Sequence, residues 1–122
     1  MANELTVSVA LRFIKGATDV RFNKLNLTFT VAGVDYISAT QSIATSETAL
    51  DLGGCAAGGT ILLANTDASN YVSVRAASGG VNCVRLNAGE VALFRFDAAG
   101  APTPYLIANT GAVIVAYLLI EP

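Results

Sequence analysis

The sequence predicts an all-β protein: an antiparallel β-sandwich, jelly-roll-like, with about eight to ten short strands over residues 1–122. Three observations carry that reading. Apolar residues recur at every second position through most of the chain. Side chains on a strand point alternately to its two faces, so this period belongs to strands and not to helices. Turn-forming pairs and triplets interrupt the pattern at intervals of roughly ten residues, the spacing of a sandwich or barrel. No stretch longer than a turn reads as helix; Ser46–Leu52 comes nearest and runs into Gly53-Gly54.

Taken in order, Leu5, Val7, Val9, Leu11 and Phe13 alternate with Thr6, Ser8, Ala10 and Arg12. After a turn at Lys15-Gly16, Leu25, Leu27, Phe29 and Val31 do the same. Further strands are expected at Tyr36–Ile43, Ala49–Leu52, Thr60–Asn65, Tyr71–Ala76, Val81–Leu86, Val91–Asp97, Tyr105–Asn109 and Ala112–Glu121. Ala32-Gly33, Gly53-Gly54, Gly58-Gly59, Gly79-Gly80, Asn87-Ala88-Gly89 and Gly100-Ala101-Pro102 supply the turns. Two facing sheets are expected to bury Leu5, Val7, Val9, Leu11, Leu27, Phe29, Leu93 and Ile114 between them. Leu62-Leu63-Ala64-Asn65-Thr66 is echoed by Leu106-Ile107-Ala108-Asn109-Thr110, which suggests one corner chemistry used twice.

The composition narrows the function classes. With 122 residues the chain suits one domain with one core. Only 13% of residues are charged against 53% hydrophobic, where about 25% charged is usual. So little charge solubilises an exposed monomer poorly. Part of the surface is therefore expected to be covered by other subunits, most simply as a homotrimer. A net charge of −2 argues against nucleic acid as a partner, because phosphate binding needs a positive face. Arg12, Lys15, Arg21 and Lys24 cluster near the start and read as a solvated hairpin end or a basic edge. No secretory signal is read in Met1-Ala2-Asn3-Glu4. The most apolar run, 112–120, is shorter than the about 20 residues a spanning helix needs, so no membrane is expected. Cys55 and Cys83 are expected to be reduced and buried.

Nothing in the sequence points to catalysis, a metal or a cofactor. The absence of histidine removes the commonest general base and metal nitrogen ligand. Acidic residues are scattered singly, and no Gly-x-Ser-x-Gly elbow occurs. Gly54–Gly59 has the glycine spacing of a phosphate loop but lacks the lysine and leads into a strand. Asn26-Leu27-Thr28 is a glycosylation sequon by chance, placed mid-strand. The polar knot Asn65, Thr66, Asp67, Ser69, Asn70 offers oxygens to calcium, yet lacks the glycine and closing glutamate of a calcium loop. Asn, Asp and Ser also bond back to their own backbone, so the knot is expected to be a structural corner.

Two segments carry a resemblance. "LLANTDASNYVSV", with Asn65, Asp67, Asn70 and Tyr71, is followed by "LNAGEVALFRF", with Gly89, Glu90, Arg95 and Phe96. In this order they resemble small all-β virion structural proteins of tailed bacteriophages, over roughly Leu5 to Glu121. The resemblance implies a structural component of the virion, assembled in the host cytoplasm. A head decoration (cement) protein that binds the major capsid protein and stabilises the shell is the favoured expectation; a tail, neck or baseplate component is the alternative. A carbohydrate-binding module is more remote, since the chain has no Trp and four Tyr to offer a sugar.

Overall fold

In a computed structural model the described residues are 3–97 and 103–122. Ten strands follow one another, with no helix among the described residues: β1 (Leu5–Lys15), β2 (Thr18–Phe29), β3 (Tyr36–Ile43), β4 (Thr48–Ala49), β5 (Thr60–Asn65), β6 (Val72–Arg75), β7 (Asn82–Leu86), β8 (Val91–Arg95), β9 (Tyr105–Ala108) and β10 (Val113–Ile120). The all-β, antiparallel expectation holds. The expected turn at Gly100-Ala101-Pro102 lies outside the described residues.

The expectation of one sandwich over residues 1–122 needs correction. The chain divides into two compact units, Met1–Ala32 and Gly33–Pro122. In the first, β1 and β2 pair only with each other, as a two-stranded antiparallel hairpin. Gly16 closes it with φ +59, which glycine adopts without strain. A bulge interrupts the ladder: Val7 faces Leu27, then Val9 faces Lys24. Asn26 takes the left-handed backbone there (φ 56) and donates its N–H to Ser8 Oγ at 3.0 Å. The extra residue shifts the side-chain period by one. Val20 and Phe22, at even positions, thereby join Leu27 and Phe29, at odd positions, on one face with Leu5, Val7, Val9, Leu11 and Phe13. The other face carries Thr6, Thr28, Asn23, Arg12, Arg21 and Asp19. Arg12 reaches Asp19 in a bidentate pair (3.1 and 3.0 Å), and Arg21 lies 3.6 Å from the same carboxylate.

The second unit is the sandwich. One sheet runs β3-β10-β5-β8 and the other β4-β9-β6-β7. β3 pairs with β10, β4 with β9, β5 with β8 and β6 with β7. The eight strands thus behave as one long hairpin, bent between β6 and β7 and wound across both sheets, a strand order compatible with the jelly-roll expectation. The core between the sheets holds Ile43, Ile61, Leu63, Val113, Val115, Tyr117 and Leu119 from one sheet and Val72, Val74, Leu86, Leu106 and Ala108 from the other.

Most of the expected core list fails at this point. Val9, Leu11, Leu27 and Phe29 are exposed on the hairpin, and Leu5 and Val7 are half-buried there. Leu93 and Ile114 lie on the outer face of the β3-β10-β5-β8 sheet. The hairpin residues fall outside the core because β1 and β2 pair only with each other, and Leu93 and Ile114 because of the composition of the sandwich strands. β10 reads Val-Ile-Val-Ala-Tyr-Leu-Leu-Ile, apolar on both faces, so alternation alone does not say which face turns inward.

Candidate functional site

The place where the sequence concentrates polar side chains, Asn65–Asn70, is where the chain crosses from β5 in one sheet to β6 in the other. Strand β5 ends on Asn65, which keeps its place in the ladder opposite Val115 while its side chain serves three partners. Its Nδ2 donates to Asn70 O (2.9 Å) and Leu86 O (3.0 Å), and its Oδ1 accepts from Asp67 N (2.9 Å). Asn65 is 2% exposed, so each of these bonds replaces water that cannot reach the site. Asp67 then closes the bend: Oδ2 accepts from Ser69 N (3.0 Å) and Asn70 N (2.6 Å). The N–H groups of Asn70 and then Ser69 hold the Asp67 carboxyl below its ordinary value. These are Asx-turn bonds, as expected from the residue types.

Three neighbouring crossings are stitched to this corner. The turn Asn87–Glu90, between β7 and β8, meets Asn65 through its backbone. Asn65 N donates to Glu90 O (2.9 Å) and Gly89 N to Asn65 O (3.1 Å). Gly89 has φ +80, and Glu90 Oε2 accepts from Asn87 N at 2.8 Å. Between β9 and β10, Asn109 N donates to Tyr71 O (3.2 Å) and Thr110 Oγ1 to Asn70 Oδ1 (3.0 Å). Thr66 bonds Ile114 O through both its N–H and its hydroxyl. Ala108 N reaches Ala44 O (2.9 Å), just beyond β3. Arg85 stacks on the Tyr71 ring at 3.9 Å.

The two halves of the Asn-Thr echo differ. Asn65 uses its whole amide, whereas Asn109 Oδ1 is buried with no hydrogen-bond partner among the described residues. The residues that carry the resemblance divide similarly. Asn65, Asp67, Asn70, Gly89 and Glu90 are stitched together here. Tyr71 is tied in through its carbonyl and ring, Phe96 donates its N–H to Gly59 O (2.8 Å), and Arg95 is exposed at the end of β8.

Elsewhere the polar contacts are also ties between segments. Glu47 accepts from Arg75 Nη1 (2.9 Å), Ser78 Oγ (2.6 Å) and Gly79 N (2.8 Å). The Ser78 hydroxyl, the Gly79 N–H and Arg75 together hold its carboxyl below the ordinary value. Glu121 was missed in the sequence. It accepts from Val34 N, Asp35 N and Ala56 N at 3.2–3.4 Å and so joins three segments. No local motif announces it, because its partners are backbone groups 65 to 87 residues away.

Gly54–Gly59 forms no phosphate cradle. Gly58 and Gly59 are buried, and a Cβ on Gly59 would stand 2.5 Å from Ile120 O. Both cysteines are free. Cys55 is buried as expected, but Cys83 is exposed, with its Sγ 3.2 Å from Val74 O. No group of three His, Cys, Asp or Glu side chains that suits a metal occurs among the described residues. No helix of the described residues is long and apolar enough to cross a membrane.

Fold and corner together define a class: an all-β sandwich whose concentrated polar chemistry holds strand crossings together. No family model, curated protein or solved structure matches the chain.

Proposed function

We propose that this chain is a structural protein of a bacteriophage virion, most concretely a capsid decoration protein that binds the major capsid shell and stabilises it. In that reading it forms a homotrimer, associates with virion proteins and engages neither nucleic acid nor a membrane. The resemblance carries the identity, and one structural observation supports an assembly role. The outer face of the β3-β10-β5-β8 sheet is nearly free of charge. Its cross-strand rows read Ser38–Leu118–Leu62–Leu93 and Thr40–Ala116–Ala64–Val91, with Arg95 the charge at one end. Leu62, Leu93, Val91 and Ile114 are all exposed there. A contiguous apolar patch of this kind marks a surface that another protein covers.

A mass-spectrometric copy-number count on purified particles tests the proposal. A number approaching that of the major capsid protein is expected. A handful of copies per particle assigns the chain to tail, neck or baseplate instead, and its absence from particles overturns the virion reading.

A further inference from the structure

We infer that the β1–β2 hairpin is the self-association arm of this protein, its apolar face covered by the same face of arms from other copies. This deepens the oligomer part of the reading above and rests on it. An isolated two-stranded hairpin is marginal in water, and this one presents its apolar side chains to solvent. Leu11 is 67% exposed, Phe13 55%, Val20 57% and Phe22 58%. The bulge at Ser8 and Asn26 is what makes the face continuous. Without it Val20 and Phe22 would point away from Leu27 and Phe29.

Two features favour a second copy as the cover. Taking whole side chains of these sizes, the accessible area on the face is roughly 600–700 Å², close to the about 800 Å² per partner of a standard interface. The face is also compatible with itself. Arg12, Arg21 and Asp19 lie on the opposite side, so arms meeting face to face keep these three charges out of the interface. Two charged residues lie on the apolar face: Lys15, paired with Thr18 beside the closing turn, and Lys24. Lys24 Nζ lies 5.8 Å over the Phe22 ring, and its long stem lets the ammonium reach solvent at the arm's edge.

Sedimentation of the full chain at micromolar concentration tests this, with Phe22→Asp on the apolar face and Ile14→Asp on the other. Ile14 is 57% exposed and pairs with Asp19, so it controls for charge and position. Wild type and Ile14→Asp are expected to sediment as the same oligomer, most simply a trimer, and Phe22→Asp as a monomer. All four tyrosines, at 36, 71, 105 and 117, lie in the second unit. An unchanged near-ultraviolet tyrosine signal therefore shows that the sandwich of the variant is intact. If that signal collapses, Leu11→Ser replaces Phe22→Asp, with the same expected loss. A monomeric wild type overturns the arm and the trimer together. An oligomer that survives both face substitutions, or that Ile14→Asp also dissolves, overturns the arm alone. The copy-number count decides the virion reading independently.

Discussion

The two Asn-Thr endings show how little of a residue's role lies in its immediate neighbours. Asn65 and Asn109 stand at the same place in near-identical pentapeptides, yet one amide has three partners and the other has a bare buried oxygen. Asn65→Ala removes three bonds and strands two carbonyls and an N–H, so it should cost about 2–4 kcal/mol. Asn109→Ala forfeits no bond to its Oδ1 and should cost under about 1 kcal/mol more than the side chain's lost packing. Urea denaturation of the two variants checks the contrast. Asp67 adds a pH dependence. Its carboxyl is held below the ordinary value in the folded state, so its contribution to stability is complete above that ordinary value. The contribution is lost as pH falls below it and through the folded pKa. Asp67→Asn should lower the melting temperature by a few degrees at neutral pH and flatten the decline that sets in as the solution is taken below about pH 4. Calcium or chelator should leave both proteins unchanged, because the Asp67 oxygen is spent on backbone N–H groups. A chelator-sensitive wild type would refute the corner.

At the scale of elements, two glycines that flank strands make opposite predictions from geometry. Gly59 lies where β5 begins, against the end of β10. An added Cβ would meet Ile120 O at 2.5 Å and Pro122 N at 2.7 Å, all backbone. Gly59→Ala should therefore push two chain segments apart and cost several kcal/mol, on the order of the overpacking limit. Gly89 has open space around its Cβ position but a φ of +80. Gly89→Ala should cost about 1 kcal/mol, from backbone strain alone. Thermal unfolding of the two proteins separates crowding from strain. The strands themselves were legible: Tyr36–Ile43 and Thr60–Asn65 have the bounds their patterns and turn residues imply. The second strand was not, because its apolar period breaks at the bulge. Val20 and Phe22 are out of phase with Leu25, Leu27 and Phe29, so only the later set reads as a strand.

For the whole molecule, the thiols report on how tightly the sandwich is closed. Cys55 is 7% exposed, and burial, followed by the charges of Glu121 and Asp35, pushes its thiol pKa upward. Cys83 is exposed. A thiol reagent at neutral pH should label one cysteine promptly and the second only after unfolding. Two prompt thiols would show that the end of the sheet around Glu121 opens readily.

Period-two patterning and its turn residues determined that this chain is all-β, and the residue types at 65–70 determined that a corner stands there. Both are local properties, set by side-chain alternation and by hydrogen bonds spanning two or three residues. Which faces are inside was decided only by the tertiary structure. Strands apolar on both sides, such as β10, satisfy either choice until a second sheet arrives to cover one of them. The separation of β1 and β2 from the sandwich was decided there too, because strand patterning names a partner for no strand. So was the meeting of Asn65 with Leu86, Gly89 and Glu90. Those contacts are brought together by the winding of eight strands, and their sequence separation of 21 to 25 residues leaves no local trace.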